Sequence, residues 1–393
     1  MPLPTVYLKP GKEKALRNRH PWVFSGAVGK EPEVEPGTLV AVASHEGHIL
    51  AFGHLEPKAT LRVRCFHFGS TLPASETDLW QAHLEAAVQR RGRLLDLSNT
   101  TGYRLIFAEG DALPGVVCDR YGDGAVLQLR TYGSRRMLEV TERYLQALGL
   151  KHLFLKGESM EQKSKLGPET ESKWLFGDTD YLHFIENGLK FMADPVNGQK
   201  TGFFVDQRPN RERMAHYAKG RRVLECFSYS GGFGVYALKG GAKGVLSLDG
   251  SQHALALAEQ HVLGNFGAEP RHTVLKADVF DYLKGLEQDQ FDLILLDPPA
   301  FSKHSSTVER AARGYKELNM KALAKLPSGG LLFTFSCSQH IDRDLFRKIL
   351  FSAAADIGRP VRILEQLTQG ADHPVDIYHP EGEYLKGIIL EVD

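Results

Sequence analysis

Glu225, Asp249, Asp278 and Asp297 each close an apolar run or lie just beyond one, the placement of acids that hold a nucleoside or a planar substrate. The run Val223-Leu224-Glu225-Cys226 passes into Phe227-Ser228-Tyr229-Ser230-Gly231-Gly232-Phe233-Gly234, where glycines let backbone approach a ligand as a helix begins. The spacing departs from Gly-x-Gly-x-x-Gly, so a dinucleotide pyrophosphate is the weaker fit. Asp249, followed by Gly250 and Ser251, is placed to accept two hydroxyl hydrogen bonds from a ribose, and Asp278 to reach an adenine edge. The alternative for both acids is a helix N-terminal carboxylate facing the dipole. Asp297-Pro298-Pro299-Ala300-Phe301 is the sharper motif. Its prolines fix φ and lack donors, so the turn is stiff. It would hold Asp297 to hydrogen-bond a planar substrate's edge and Phe301 to stack on its face. Ser336-Cys337-Ser338 ends the last of these runs, and a cysteine there, taken alone, also suits a small buried hydrophobe.

These residues need a common scaffold. From about residue 191 the pattern predicts strands over Arg222–Phe227, Gly244–Asp249, Thr273–Ala277, Phe291–Asp297 and Gly330–Ser336. Helices are predicted between them over Ser251–Asn265, Val279–Leu286, Val308–Leu326 and Ile341–Ile357. The near-continuous apolar content of the runs predicts buried strands in a parallel sheet covered on both faces, an α/β fold whose ligands sit beyond the carboxyl ends of the strands. Upstream, Thr38–Ala43, Ile49–Gly53 and Leu61–Phe68 read as short strands of a small β-rich module. Helices over Leu79–Leu97 and Ser134–Leu148, with strand-like runs in Tyr103–Leu129 and Leu153–Leu155, make the middle section mixed α and β. Glu158–Gly177 reads as a loop or linker.

At 393 residues the chain exceeds the roughly 100 to 200 residues of one domain, and Lys+Arg and Asp+Glu balance at 48 each. Local charge is more informative. The first thirty positions carry Lys9, Lys12, Lys14, Arg17, Arg19 and Lys30 against Glu13 alone, and Arg90, Arg91 and Arg93 form a second cluster. Both clusters suit phosphates or plain solvated surface. Cys65, Cys118, Cys226 and Cys337 form no Cys-x-x-Cys pair, so neither a disulfide framework nor a thiolate zinc site is indicated, and a reducing cytoplasm fits. Cys65, Cys118 and Cys226, on predicted strands, read as core. No signal-peptide h-region or membrane-length apolar run is present.

Taken in order, Glu225 to Gly234, Asp249, Asp278, Asp297-Pro298-Pro299 and Ser336-Cys337-Ser338 resemble the motifs of class I S-adenosylmethionine-dependent methyltransferases. Arg19-His20-Pro21-Trp22-Val23-Phe24 is similar to the opening of a PUA domain. Gln199-Lys200-Thr201-Gly202-Phe203-Phe204-Val205-Asp206-Gln207-Arg208 and Asp372-His373-Pro374 resemble signatures of the bacterial 23S rRNA 5-methylcytosine methyltransferases. The resemblance spans nearly the whole chain. It implies a PUA-like RNA-binding domain over 1–72, a mixed α+β central domain over 73–190 and a Rossmann-like methyltransferase domain with a mainly parallel sheet over 191–393, commonly assembled as a homodimer.

The resemblance further implies S-adenosylmethionine as cofactor. Its expected holders are Lys200, Thr201, Gly202 and Asp206, on a segment that closes over it, together with Phe227, Ser228, Tyr229, Gly231, Gly232, Asp249, Gly250, Ser251, Asp278 and Asp297. Cys337 becomes the nucleophile and Asp297 the partner of the base's N3 edge. The chemistry asks for a cysteine because cytosine C5 is too weakly nucleophilic to take a methyl group until thiolate addition at C6 makes the ring enamine-like. RNA is the expected partner, met by Lys14, Arg19, Trp22 and Phe301 through neutralisation and stacking. Trp22 and Phe24, at alternate positions, also suit one face of a strand in a small core. Two other functions fit the same residues. One is methylation of a guanine or adenine nitrogen without covalent catalysis; the other is an inactive RNA-binding or ribosome-assembly protein.

Overall fold

The computed structural model describes residues 3–157, 171–302 and 307–393. The chain forms two compact units, one of Met1–Gly188, Met192–Val205 and Ala371–Gly382, the other of Leu189–Phe191, Asp206–Gly370 and Glu383–Asp393. Among the described residues no helix is long and apolar enough to cross a membrane.

The first unit opens with a six-stranded sheet in the order Trp22–Phe24, Leu61–Phe68, Ile49–Leu55, Thr38–Ala43, Thr5–Leu8, Val28–Lys30. Val6, Leu8, Val23, Val40, Val42 and Val63 form its core. The strands at Thr5, Trp22 and Val28 are too short to show a two-residue alternation, so the sequence pattern passes over them. A five-stranded sheet follows in the order Lys173–Phe176, His152–Leu155, Gly124–Leu129, Val116–Tyr121, Gly102–Phe107. Helices Glu76–Leu94 and Leu138–Ala147 are joined by Trp80 Nε1 donating to Thr141 Oγ1 at 3.1 Å.

Several sequence expectations for this unit need correction. The linker expected over 158–177 ends in a strand, Lys173–Phe176, because Trp174 pairs against Phe154 with ring centroids 5.0 Å apart; residues 158–170 lie outside the described residues. The helix expected over 134–148 is two helices, Tyr132–Arg136 and Leu138–Ala147, the first started by a Thr131–Ser134 capping box. In the arginine cluster Arg90 and Arg91 both pair with the buried Asp111, and Arg91 also donates to the carbonyls of Arg104 and Asp372. Those two arginines are committed to the protein rather than to phosphates. Asp372 and His373 of the Asp372-His373-Pro374 signature are buried here too, with Asp372 Oδ2 accepting from Arg104 N at 2.9 Å.

The second unit is built on a seven-stranded sheet. Its strands are β1 (Arg222–Cys226), β2 (Gly244–Asp249), β3 (His272–Lys276), β4 (Leu293–Leu296), β5 (Gly330–Ser336), β6 (Val361–Leu367) and β7 (Lys386–Val392), in the order β3-β2-β1-β4-β5-β7-β6. The first five in that order run parallel, and β7 is antiparallel to both β5 and β6. Helices α1 (Arg208–Tyr217), α2 (Gly232–Lys239), α3 (Gln252–Phe266), α4 (Val279–Gly285), α5 (Val308–Lys325) and α6 (Arg343–Ile357) complete the unit.

This is the α/β fold expected. The order reverses between β1 and β4, where a doubly wound sheet opens a crevice beyond its carboxyl ends. Every residue of β4 and β5 is buried, whereas β3, expected to be buried, is an edge strand with Thr273, Leu275 and Lys276 exposed. An edge strand has one neighbour, and this one carries a mixed sequence to match.

Leu296 is fully buried in the core cluster, one residue before Asp297. Leu296→Ala should lower unfolding free energy by about 2–5 kcal/mol, read as an earlier urea midpoint at unchanged slope.

Candidate functional site

The carboxyl ends of β1, β2, β4 and β5 carry the residues singled out in the sequence. Glu225, on β1, is 1% exposed. Its Oε1 accepts from Phe233 N at 3.0 Å and its Oε2 from Ser247 Oγ at 2.7 Å, so the carboxylate joins β1, β2 and the first turn of α2. A Cβ on Gly234 would lie 2.7 Å from Glu225 Oε2, which is why that turn needs glycine. Burial pushes the Glu225 carboxyl up to about 7, against the Ser247 and backbone hydrogen bonds and the charge of Arg211.

Between Glu225 and α2 the chain takes left-handed φ at Phe227 (57°), Tyr229 (47°) and Gly231 (70°). Two of these are not glycine, and such residues each cost about 1–2 kcal/mol unless their surroundings hold them. One hold is Asp249: its Oδ2 accepts from Tyr229 N at 2.9 Å and its Oδ1 from Ser251 N at 2.8 Å. A carboxylate has about four acceptor positions, so Asp249 keeps capacity for ligand hydroxyls. Ser228 Oγ is buried with no hydrogen-bond partner among the described residues. A buried unpaired hydroxyl beside a strained, glycine-bearing loop fits a polar ligand.

Ser251 caps α3 and Asp278 caps α4, its Oδ1 accepting from Asp281 N at 3.0 Å. For Asp278, which is exposed, the helix-capping alternative is therefore realised. Gly250 is exposed, and a Cβ there would meet nothing within 4 Å. Gly231 is different, since its Cβ would fall 2.6 Å from that of Ala258. Gly232 is buried as the first residue of α2.

Asp297 is half-buried and accepts from Gln207 Nε2 at 3.0 Å. Asn210 Nδ2 donates to Gln207 Oε1 at 2.6 Å, which turns the Gln207 amide group toward Asp297. Phe301 lies with its ring 4.7 Å from that of Tyr315 and 6.2 Å from that of Phe280, so only part of it is open to a base. Ser338 ties the two loops together: its Oγ accepts from Ser302 N at 3.3 Å and lies 3.0 Å from the Tyr315 hydroxyl. Cys337, between Ser336 and Ser338 in the chain, is half-buried, while Cys65, Cys118 and Cys226 are buried.

The remaining expected residues stand on other segments of the chain. Asp206, in the second unit, accepts from the Tyr384 hydroxyl. Lys200, Thr201 and Gly202 belong to the first unit. There Lys200 Nζ stands 4.6 Å from the Phe204 ring centre, and Thr201 Oγ1 donates to Asp119 Oδ2 at 2.6 Å. The close approach that Gly202 allows is to Asp194, whose carbonyl oxygen would be 2.6 Å from a Cβ. Lys14 and Arg19 are exposed, and Val23 rather than Trp22 faces the core. Trp22 is half-buried, donating Nε1 to Glu109 Oε1 at 2.9 Å beneath the Arg64 guanidinium, and Phe24 is exposed beside it. Ser247, Tyr315 and Lys386 are the residues that sequence reasoning missed, and Gln207 stands in the Gln199–Arg208 signature without a role of its own. Lys386, directly ahead of the apolar run Gly387–Val392, is the one with a visible signal: a charge opening a buried strand. Among the described residues no cluster of His, Cys, Asp and Glu could hold a metal ion.

The family model described as S-adenosylmethionine-dependent methyltransferase matches residues 138–376, and one for a PUA-like domain matches residues 6–68. Ribosomal RNA large subunit methyltransferase I of Aliivibrio fischeri is 39% identical over 99% of both chains. The protein of that name from Alteromonas mediterranea is 40% identical over 98% of both. Among solved structures, a chain from Streptococcus mutans assigned as an S-adenosylmethionine-dependent methyltransferase superposes with a TM-score of 0.83 at 22% identity, over 99% of this chain and 100% of that one. Another structure assigned as a methyltransferase, complexed with SAH, gives 0.84 at 22% identity over 100% of both. At that identity the structures speak for the fold.

Glu225 generates a pH dependence. Between about 4.5 and about 7 the folded chain keeps a proton that the unfolded chain has released, so stability falls as pH rises through that window, by at most about 3 kcal/mol. Glu225→Gln should flatten this part of the slope. Urea midpoints between pH 5 and 8 would test it, and parallel profiles for the two proteins would remove Glu225 as a cause.

Proposed function

Because the chain belongs to the S-adenosylmethionine-dependent methyltransferase family, we propose that it methylates C5 of a cytosine in the large-subunit (23S) ribosomal RNA through a covalent adduct on Cys337. The observation that carries this reading is the placing of Cys337, the half-buried one of the described cysteines, at the end of β5 beside the Asp297 loop of β4. The relatives' name supports ribosomal RNA as the substrate. The PUA-like domain, with exposed Lys14, Arg19 and Phe24 and half-buried Trp22, supports RNA binding. A homodimer, implied by the family resemblance, belongs to the same proposal.

S-adenosylmethionine supplies an electrophilic methyl group on a sulfonium. Asp249 would accept the ribose hydroxyls, Ser228 would satisfy its hydroxyl on the cofactor, and the Phe227–Gly232 backbone would line the methionine part. Asp278, Gly250, Ser251 and Asp206 would supply the supporting contacts that the resemblance implies. Cys337 Sγ, as thiolate, adds to C6 of a base that has left its stack, raising electron density at C5. Asp297, oriented by Gln207, faces the N3 edge and, as the carboxylic acid, would give N3 a proton as that nitrogen gains negative charge. C5 then takes the methyl group as the methyl–sulfonium bond breaks to leave a neutral thioether. A base removes the C5 proton, the electrons of that bond re-form the C5–C6 double bond as Sγ–C6 breaks and Cys337 leaves as thiolate, and N3 returns its proton to Asp297.

Cys337→Ala should cut methyl transfer on the order of 10³-fold or more while cofactor affinity by calorimetry changes little. RNA containing 5-fluorocytosine should form a denaturation-resistant adduct with the wild type and none with Cys337→Ala. A methylated guanine or adenine nitrogen in the product, seen by mass spectrometry without any adduct, would instead establish the non-covalent reaction.

A further inference from the structure

Ser336 on β5 pairs with Lys386 on β7 in antiparallel register, which sets a lysine against the segment carrying Cys337. Lys386 is 4% exposed. Its ammonium donates to Ser338 O at 2.8 Å and to Tyr384 O at 2.7 Å. An ammonium has three protons to donate, and two carbonyl dipoles do not neutralise its charge. Among the described residues no carboxylate forms an ion pair with it. The charged groups around it are Cys337 after β5, Asp342 and Arg343 at the start of α6, and Glu383 before β7. Arg343 and Glu383 pair with each other at 2.5 Å, and Asp342 Oδ1 caps α6 by accepting from Leu345 N. Tyr315, on α5, also feels the charge of Cys337. Cys337 is thus the neighbour whose ionisation would give the Lys386 ammonium a counter-charge.

We infer that Lys386 is the positioning residue for Cys337: it fastens the Ser338 turn through the Ser338 carbonyl and supplies the positive charge that holds Sγ as a thiolate, its proton passing to solvent. The catalytic meaning of this rests on the reading of Cys337 as nucleophile; the ionisation itself does not. Burial pushes the Lys386 ammonium down to about 8, and the negative charge of Cys337 acts in the opposite direction, the mutual support expected of such a pair.

Alkylation of the full-length protein by iodoacetamide across pH, read at the Cys337 peptide by mass spectrometry, tests this. The background is low because Cys65, Cys118 and Cys226 are buried and burial pushes their thiols up. In the wild type the midpoint for Cys337 should lie about one pH unit or more below that of the same peptide in the urea-unfolded chain, a tenfold gain in thiolate. Lys386→Met should move the native midpoint up by a similar amount, and Lys386→Arg should recover most of it. A native midpoint at or above the unfolded one overturns the inference without recourse to any variant, and so does an unchanged midpoint in a folded Lys386→Met protein. A normal 5-fluorocytosine adduct together with an unchanged Lys386→Met profile would overturn the lysine's role alone. A low wild-type midpoint without any adduct would overturn the C5 reading alone.

Discussion

The buried carboxylate of Glu225 is the constraint on which the cofactor end of the sheet depends. It cannot be solvated, so its oxygens must be met from within, and they draw Phe233 N and Ser247 Oγ to one point. That fixes where α2 begins relative to β1 and β2. The intervening residues must then reverse direction in a short span, which forces the left-handed backbone at Phe227, Tyr229 and Gly231. Asp249 holds the reversal by accepting from Tyr229 N. The loop is therefore shaped by the buried Glu225, and Asp249, which we propose meets the ribose, is itself held by the loop.

The carboxyl end of the sheet, where we propose the reaction, is organised by strand direction. Parallel β1, β2, β4 and β5 bring their carboxyl ends to one side, collecting Asp249, Asp297 and Cys337 there. Antiparallel β7 adds what a parallel strand would not, since its first residue, not its last, lies at that end. Lys386 reaches the Cys337 segment for this reason. Ser338 and Tyr315 then lock the Asp297 and Cys337 loops together, so that displacement of one is felt by the other.

The first unit uses its signature residues differently. Asp372 and His373 are buried and serve the packing of Arg91, Arg104 and Phe107. Thr201 likewise spends its hydroxyl on Asp119, which also holds Arg104 in a two-point pair. At the surface of this unit Lys14, Arg17 and Arg19 of the N-terminal cluster are exposed.

Local pattern was enough for the elements whose burial shows in composition. The strands carrying Glu225, Asp249, Asp297 and Cys337 were legible because residues buried on both faces must be apolar almost without interruption, and the acids stood out at their ends. The edge strand β3, the strand at Lys173 and the three-residue strands of the first unit were misread or passed over, because their stability comes from a neighbour distant in sequence. By itself the sequence determined the α/β class, the glycine-bearing loop and the order of the strand-end residues. Only the tertiary structure decided that Asp278 caps a helix, that Arg90 and Arg91 are bound to Asp111, and that Lys386 stands against the Cys337 segment. A side chain's partner depends on chain direction and register across a sheet, which no local run of residues encodes.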